Sequence, residues 1–350
     1  LSMGLIDKEG HEIVNQTLIF NQKEQEFTFE GVKSRPVLSI NRGFSAPVSL
    51  HIDYSVEDTE HLICYDTDSF NRYEIGQEYA LKTILKAIEH NDATMFAKLI
   101  DIFATYLNKK DEDPAFVARA IVFPAASYIG DQMPIFDVDA VLDIRKQVRR
   151  EFAIKTQKTL KQIYDDLFVE NDVDISPQAA NRRALKNVAL SYLSLLPDYA
   201  DLAALQFQTS CNMTDTMAAL SALVHNQLPY AKTALAAFYQ RYQNDPLVIN
   251  RWLALQASVE ENSTLDTVKQ LAQTKDFVIT NPNKVRSLIG VFSKNLKAFH
   301  QTNGKGYELV ADYVIQLNAL NPQIAEGLVH PLCEWKHFDA NRQKLMRTQL

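Results

Sequence analysis

Glycine is scarce in this sequence, with 10 in 350 residues, and none occurs between Gly130 and Gly290. Sheet-rich folds need residues that tolerate positive φ at their turns, so a gap of this length predicts a mostly helical middle. Cysteine is scarcer still. Cys64, Cys211 and Cys333 are odd in number and far apart, which excludes a disulfide framework and a cysteine-type zinc site. No apolar run approaches the ~20 residues of a membrane span. Basic charge is not in surplus: 36 Lys and Arg stand against 43 Asp and Glu, a net charge of −7, which argues against a binder of nucleic-acid backbones. Leu1-Ser2-Met3-Gly4-Leu5 shows no basic segment leading into an apolar one, so no signal peptide is visible and a reducing, cytoplasmic setting is expected.

What is present divides into two textures. Phe27 and Phe29 alternate with polar neighbours, and Val48, Leu50, Ile52 and Tyr54 alternate with Ser49, His51 and Asp53, the period of half-buried strands. Asp7-Lys8-Glu9-Gly10 and Asn21-Gln22-Lys23-Glu24 read as turns. Residues 1–55 are therefore expected to form a small antiparallel β unit of about four or five strands, thin for a complete sandwich, with its missing strands upstream.

From about Gln77 the period is clearly helical, with an earlier start left open. Leu81, Ile84, Leu85 and Ile88 share one face, as do Phe96, Leu99, Ile100 and Phe103. Further helices are expected at 137–168, 177–195, 213–226, 230–243, 247–258, 264–275, 283–294, 306–319 and 323–335. Asp113-Pro114, Ser176-Pro177, Asp245-Pro246, Asn281-Pro282 and Asn321-Pro322 each place an N-cap before a proline at the first helical position. Pro331 should kink or end its helix. Many helices with short linkers and no intervening strand suggest stacked helix pairs over 56–350, with a compact bundle as the alternative.

The chemistry of known catalytic motifs is missing. His11-Glu12 opens like a zinc-binding His-Glu-Xaa-Xaa-His helix, but position 15 is Asn15 and the segment reads as strand, leaving a surface pair. His330, Cys333, Glu334 and His337 could be imagined as a ligand cluster, although Pro331 disturbs the spacing and core or surface roles are commoner. Asp172-Val173-Asp174 lacks the glycine and closing glutamate of a calcium loop, and Asp165-Asp166 reads as a solvated face. No nucleophile elbow, phosphate loop or dinucleotide fingerprint occurs. The basic stretch Arg145, Lys146, Arg149, Arg150, Lys155, Lys158 and Lys161 is most simply a solvated face. Arg286, about one turn into the helix opened by Asn281-Pro282, is the candidate side chain for holding an anion; a surface ion pair is the plainer reading of its spacing.

Several segments together carry a family resemblance. Gly43-Phe44-Ser45-Ala46-Pro47-Val48, Asp68-Ser69-Phe70-Asn71-Arg72-Tyr73-Glu74, Asn212-Met213-Thr214-Asp215 and Asn281-Pro282-Asn283 with Arg286-Ser287-Leu288-Ile289-Gly290 resemble, in order, the C-terminal region of the bacterial aminopeptidase N family of M1 zinc aminopeptidases. Asn321-Pro322-Gln323 and Phe338-Asp339-Ala340-Asn341-Arg342-Gln343 extend the likeness. The resemblance implies the later part of a β-sandwich (1–55), then an armadillo-like α-superhelix of helix pairs (56–350) that caps a catalytic domain and bounds the chamber entered by peptide substrates. It implies Zn in the parent enzyme and none in this chain, which lacks the metal and general-base motifs and is expected to be inactive alone. The implied partners are the upstream catalytic domain and peptides, with no nucleic acid and no membrane. Arg286 becomes a candidate chamber residue able to hold a peptide carboxylate, while a second arginine found in some relatives is Gly327 here. The rival expectation is a free-standing helical scaffold that binds a protein partner.

Overall fold

The computed structural model describes residues 1–108 and 112–350. Two compact units emerge: Leu1–Pro124 with Gln147–Leu167 and Ile175–Ala189, and Ala125–Lys146 with Phe168–Asp174 and Leu190–Leu350.

The first unit opens with β1 (Ser2–Ile6), β2 (Glu12–Thr17) and β3 (Val37–Ile40), an antiparallel sheet ordered β2-β1-β3. Gly4 pairs with Asn15 on one side and Ser39 on the other. The β1–β2 turn is closed by Asp7, whose Oδ1 accepts from the backbone N–H groups of Glu9 (3.0 Å) and His11 (2.7 Å), with Gly10 at φ 89°. Asn21–Glu24 bends as expected.

The four or five strands expected are three, and the alternations at 27–29 and 48–54 form no ladder. Phe27 and Phe29 use their period to pack on the sheet core of Met3, Leu5 and Leu18 without strand hydrogen bonds. In the second segment Val48 and Leu50 stay exposed, and Tyr54 is held by its hydroxyl donating to the Leu38 carbonyl at 2.8 Å. Alternation reports which side chains face a surface; it does not supply a neighbouring backbone.

Helices begin earlier than Gln77. The first unit holds α1 (Val56–Tyr65), α2 (Ser69–His90), α3 (Phe96–Tyr106) and α4 (Pro114–Ala120). Ser55 and Asp68 cap α1 and α2 by accepting from Asp58 N and Asn71 N. A buried arginine ties sheet to helices. Arg42 donates from Nε to Ser39 Oγ (2.8 Å) and from Nη2 to Asp66 (2.7 Å) and Thr67 (3.0 Å), and its Nη1 pairs with Glu12. Asn71 of α2 completes the link through Ser39 (2.7 Å).

The second unit starts with α5 (Ala126–Asp131). The 29-residue α6 (Val138–Asp166) and α7 (Pro177–Leu193) each contribute to both units. Then follow α8 (Ala200–Thr209), α9 (Met213–His225), α10 (Ala231–Tyr242), α11 (Pro246–Ala257), α12 (Thr264–Leu271), α13 (Pro282–Val285), α14 (Leu296–Phe299), α15 (Lys305–Leu320), α16 (Pro322–Cys333) and α17 (Ala340–Gln349). Sequential helices pair: α8 packs on α9, α11 on α12 and α15 on α16. Between the two glycines left-handed backbone falls to Asn171 (φ 54°) and Gln227 (φ 50°).

All five proline starts are capped as expected. Asp113, Ser176, Asp245, Asn281 and Asn321 each accept a backbone N–H in the first turn. Pro331 lies inside α16, which ends two residues later. The helices α8, α5, α14 and α17 have no counterpart among the expected ranges; they are short or, like α17, largely polar.

Candidate functional site

Arg286 sits where the helix changes geometry. The α13 turn passes directly into a π-helical turn, Arg286–Gly290, a feature uncommon in helices and frequent at functional sites. Asn281 Oδ1 accepts from Asn283 N (3.0 Å) and Lys284 N (3.4 Å), and Pro282 needs no donor partner there. Val285, Leu288, Ile289 and Phe292 are buried, which anchors one face. Arg286 and Asn283 are exposed on the other.

Among the described residues Arg286 has no ion-pair or hydrogen-bond partner. The plainer expectation of a surface ion pair therefore has no carboxylate to complete it. Gly290 lies between Arg286 and α16: a Cβ there would make ordinary contact, 3.9 Å from both Arg286 Cβ and Leu328 Cδ2. That places the start of the π turn beside α16. Gly327 on α16 is exposed, with no atom within 4 Å of where a Cβ would be.

Behind the turn, Lys284 is buried, and burial lowers its ammonium pKa against the attraction of Asp276. Asp276 itself accepts the Tyr239 hydroxyl at 2.8 Å. Lys284 and Arg286 are two residues apart, so they point to different sides of the helix.

The other sequence candidates do not assemble. Among the described residues no three His, Cys, Asp or Glu side chains are grouped to hold a metal ion. His330 pairs with Glu334 at 3.6 Å on an exposed helix end. Asp165 pairs with Lys161 (2.6 Å) and Asp166 accepts from Gln162 (2.7 Å), an ordinary solvated face. Lys155 reaches Asp101 at 2.8 Å, and Lys146, Arg150 and Lys158 are exposed. His11 is exposed and Glu12 half-buried, and a hydrogen bond from Thr67 and those from Arg42 and Asn15 overcome the cost of burial and lower the Glu12 pKa to about 2. A cavity of about 550 Å³ borders Tyr106, Glu112 and Ile163. Its carboxylate Glu112 is taken by Arg72 at 2.6 Å.

One polar cluster was invisible to spacing rules. Asp139, in the first turn of α6, accepts from Lys297 (2.9 Å) and from Arg342 of α17 (2.8 Å). Arg342 is buried; its Nε donates to the His300 carbonyl (2.8 Å) and its Nη1 to Asp339 (2.7 Å). Only the Asp339–Arg342 spacing hinted at it, being one helical turn.

Mainly α architecture behind a small β unit, with paired helices, defines an ARM-repeat class of domain. A family described as a domain of unknown function with ARM repeats (DUF3458_C) matches residues 56–350, and one described as having an Ig-like fold (DUF3458) matches residues 1–53. The chain belongs to this family and is similar to the C-terminal region of bacterial aminopeptidase N. It is 32% identical to aminopeptidase N of Escherichia coli (strain K12) over 99% of this chain and 40% of that protein, and 31% identical to that of Caulobacter vibrioides over 100% and 41%. It thus spans about 40% of the length of these curated relatives. Among solved structures, Legionella pneumophila aminopeptidase A in complex with aspartic acid matches 99% of this chain and 42% of its own, at 30% identity and a TM-score of 0.87. In the described residues no helix is long and apolar enough to cross a membrane.

Proposed function

We propose that this chain is the non-catalytic C-terminal part of a zinc aminopeptidase, and that it caps an upstream catalytic domain and forms part of the wall of its substrate chamber. The likeness to aminopeptidase N over nearly the whole chain supports this, as does the lack of any His-Glu-Xaa-Xaa-His sequence. The working boundary lies near residue 55, between the β-sandwich portion and the helical portion; the two family matches meeting at 53 and 56 favour it. The zinc ion and the glutamate base would belong to the catalytic domain, in a cytoplasmic enzyme that removes N-terminal residues from peptides.

The observation that carries the role of this chain is the exposed Arg286 on its π turn, which has no partner among the described residues. A guanidinium with five free donors is suited to a peptide's C-terminal carboxylate. Arg286→Ala in the full-length protein should raise KM for short peptides with a free carboxylate, leave KM for the matching amides near the wild-type value, and spare turnover of single-residue arylamides. Equal effects on acid and amide substrates would remove Arg286 from the chamber. The isolated chain should cleave no aminoacyl-arylamide with or without added zinc; zinc-dependent turnover by the pure chain would overturn the non-catalytic reading.

A further inference from the structure

The cluster around Asp139 encloses more than an ion pair. A cavity of about 170 Å³ opens among Asp139, Lys297, Arg342, His300, Asn262 and Asn303. At roughly 30 Å³ of liquid volume per water, it takes a few waters or one small ligand, and it is too small for a peptide.

Its wall has unused bonding capacity of both signs. Lys297 is an ammonium with three donors, of which one is spent on Asp139. The Asp139 carboxylate has about four acceptor positions and accepts two bonds. Among the described residues both ends of the Asn262 side-chain amide are without a partner. Arg342 is held by the His300 carbonyl and Asp339 as well as by Asp139, so the positive charge there is pre-positioned. His300 contributes no charge: its ring is buried, hydrogen-bonded to the Tyr307 hydroxyl (3.0 Å) and stacked on Phe338 at 4.3 Å. Burial, with Arg342 adding repulsion, pushes its pKa down to about 3.

A cation and an anion side by side at 2.9 Å, both reachable from one small polar cavity, match a ligand that carries the opposite pair at similar spacing. We propose that this cavity binds a free α-amino acid with a small side chain, its carboxylate on Lys297 and Asn262 and its ammonium on Asp139. A plain anion such as acetate or phosphate gains Lys297 but meets the Asp139 carboxylate. A plain amine gains Asp139 but meets Lys297 and Arg342. Only the zwitterion satisfies both. Free amino acids are also what the proposed parent reaction releases, and that link alone rests on the preceding section.

Equilibrium dialysis of labelled glycine and L-alanine against the 350-residue chain tests the site without any peptidase activity, so its failure leaves the proposed function standing. The expected result is saturable binding at one site, with acetate and methylammonium competing about tenfold less well. Lys297→Gln, at a half-exposed position, should weaken glycine binding about tenfold, and Asn262→Ala severalfold. Unchanged urea midpoints show that both variants fold. No saturable binding, equal competition by acetate, or full affinity in folded Lys297→Gln would each overturn the proposal.

Discussion

Arg342 and Asp139 lie 203 residues apart in sequence and meet at 2.8 Å, joining the last helix to the first turn of α6. An amide at position 139 keeps one acceptor oxygen but loses the charge and puts a donor in place of the other oxygen, so it can no longer accept from both Lys297 and the buried Arg342. Asp139→Asn should therefore cost about 1–2 kcal/mol in urea unfolding, near the lower end because the carboxylate is half-exposed and screened. Arg342→Met, which removes the buried charge itself, should cost less than a bare loss of three bonds would suggest.

Acid should weaken the same region. Burial works against ionisation of Asp139 and Asp339, yet hydrogen bonds from Lys297 and Arg342 to the first, and from Arg342 to the second, outweigh it and lower both pKa values. Glu12 is lowered to about 2 by Thr67 and Arg42. A carboxyl depressed in the folded state contributes stability above its unfolded pKa and loses it as pH falls through the folded value. Stability should thus begin to fall below about pH 6.5, where the unfolded His300 takes a proton that its buried folded ring refuses down to about 3, and fall more steeply from roughly 4 toward 2 as these carboxyls protonate. Glu12→Gln should shallow that fall in a series of urea midpoints; an unchanged slope would remove Glu12 from the effect.

Gly4 offers a steric test of the Arg42 anchor. A Cβ there would lie 2.5 Å from the Arg42 guanidinium carbon, which is held by Ser39, Glu12, Asp66 and Thr67 and has little room to move. Gly4→Ala should destabilise by about 1–3 kcal/mol. Calorimetric melting within a degree of wild type would show that the anchor yields.

Gly327 is the opposite case. Nothing lies within 4 Å of a Cβ there, and the residue is inside α16, where glycine is a poor helix former. Gly327→Arg should leave stability unchanged or raise it by up to about 1 kcal/mol. In the full-length protein it would add a second guanidinium on the helix next to the π turn, and the preference for free-carboxylate peptides over amides should widen.

The helix starts were legible because capping is local. An Asn, Asp or Ser side chain reaches the N–H two or three residues on wherever the chain goes afterward, and five such dipeptides all do so. The alternation of Val48 to Tyr54 misled because a strand needs a partner backbone, which no local pattern provides. Arg286 was found through its helix start; its lack of a partner and the π turn beneath it were not readable from spacing, since both depend on how Val285, Leu288 and Ile289 pack.

By itself the sequence determined the class: a small β unit, then helices punctuated by capped prolines, with the scarcity of glycine and of catalytic motifs narrowing what the chain does. Only the tertiary structure decided which charges are buried. Arg42 and Arg342 look like any arginine in the sequence, and it is packing that withdraws them from water and obliges carboxylates from 30 and 203 residues away to meet them.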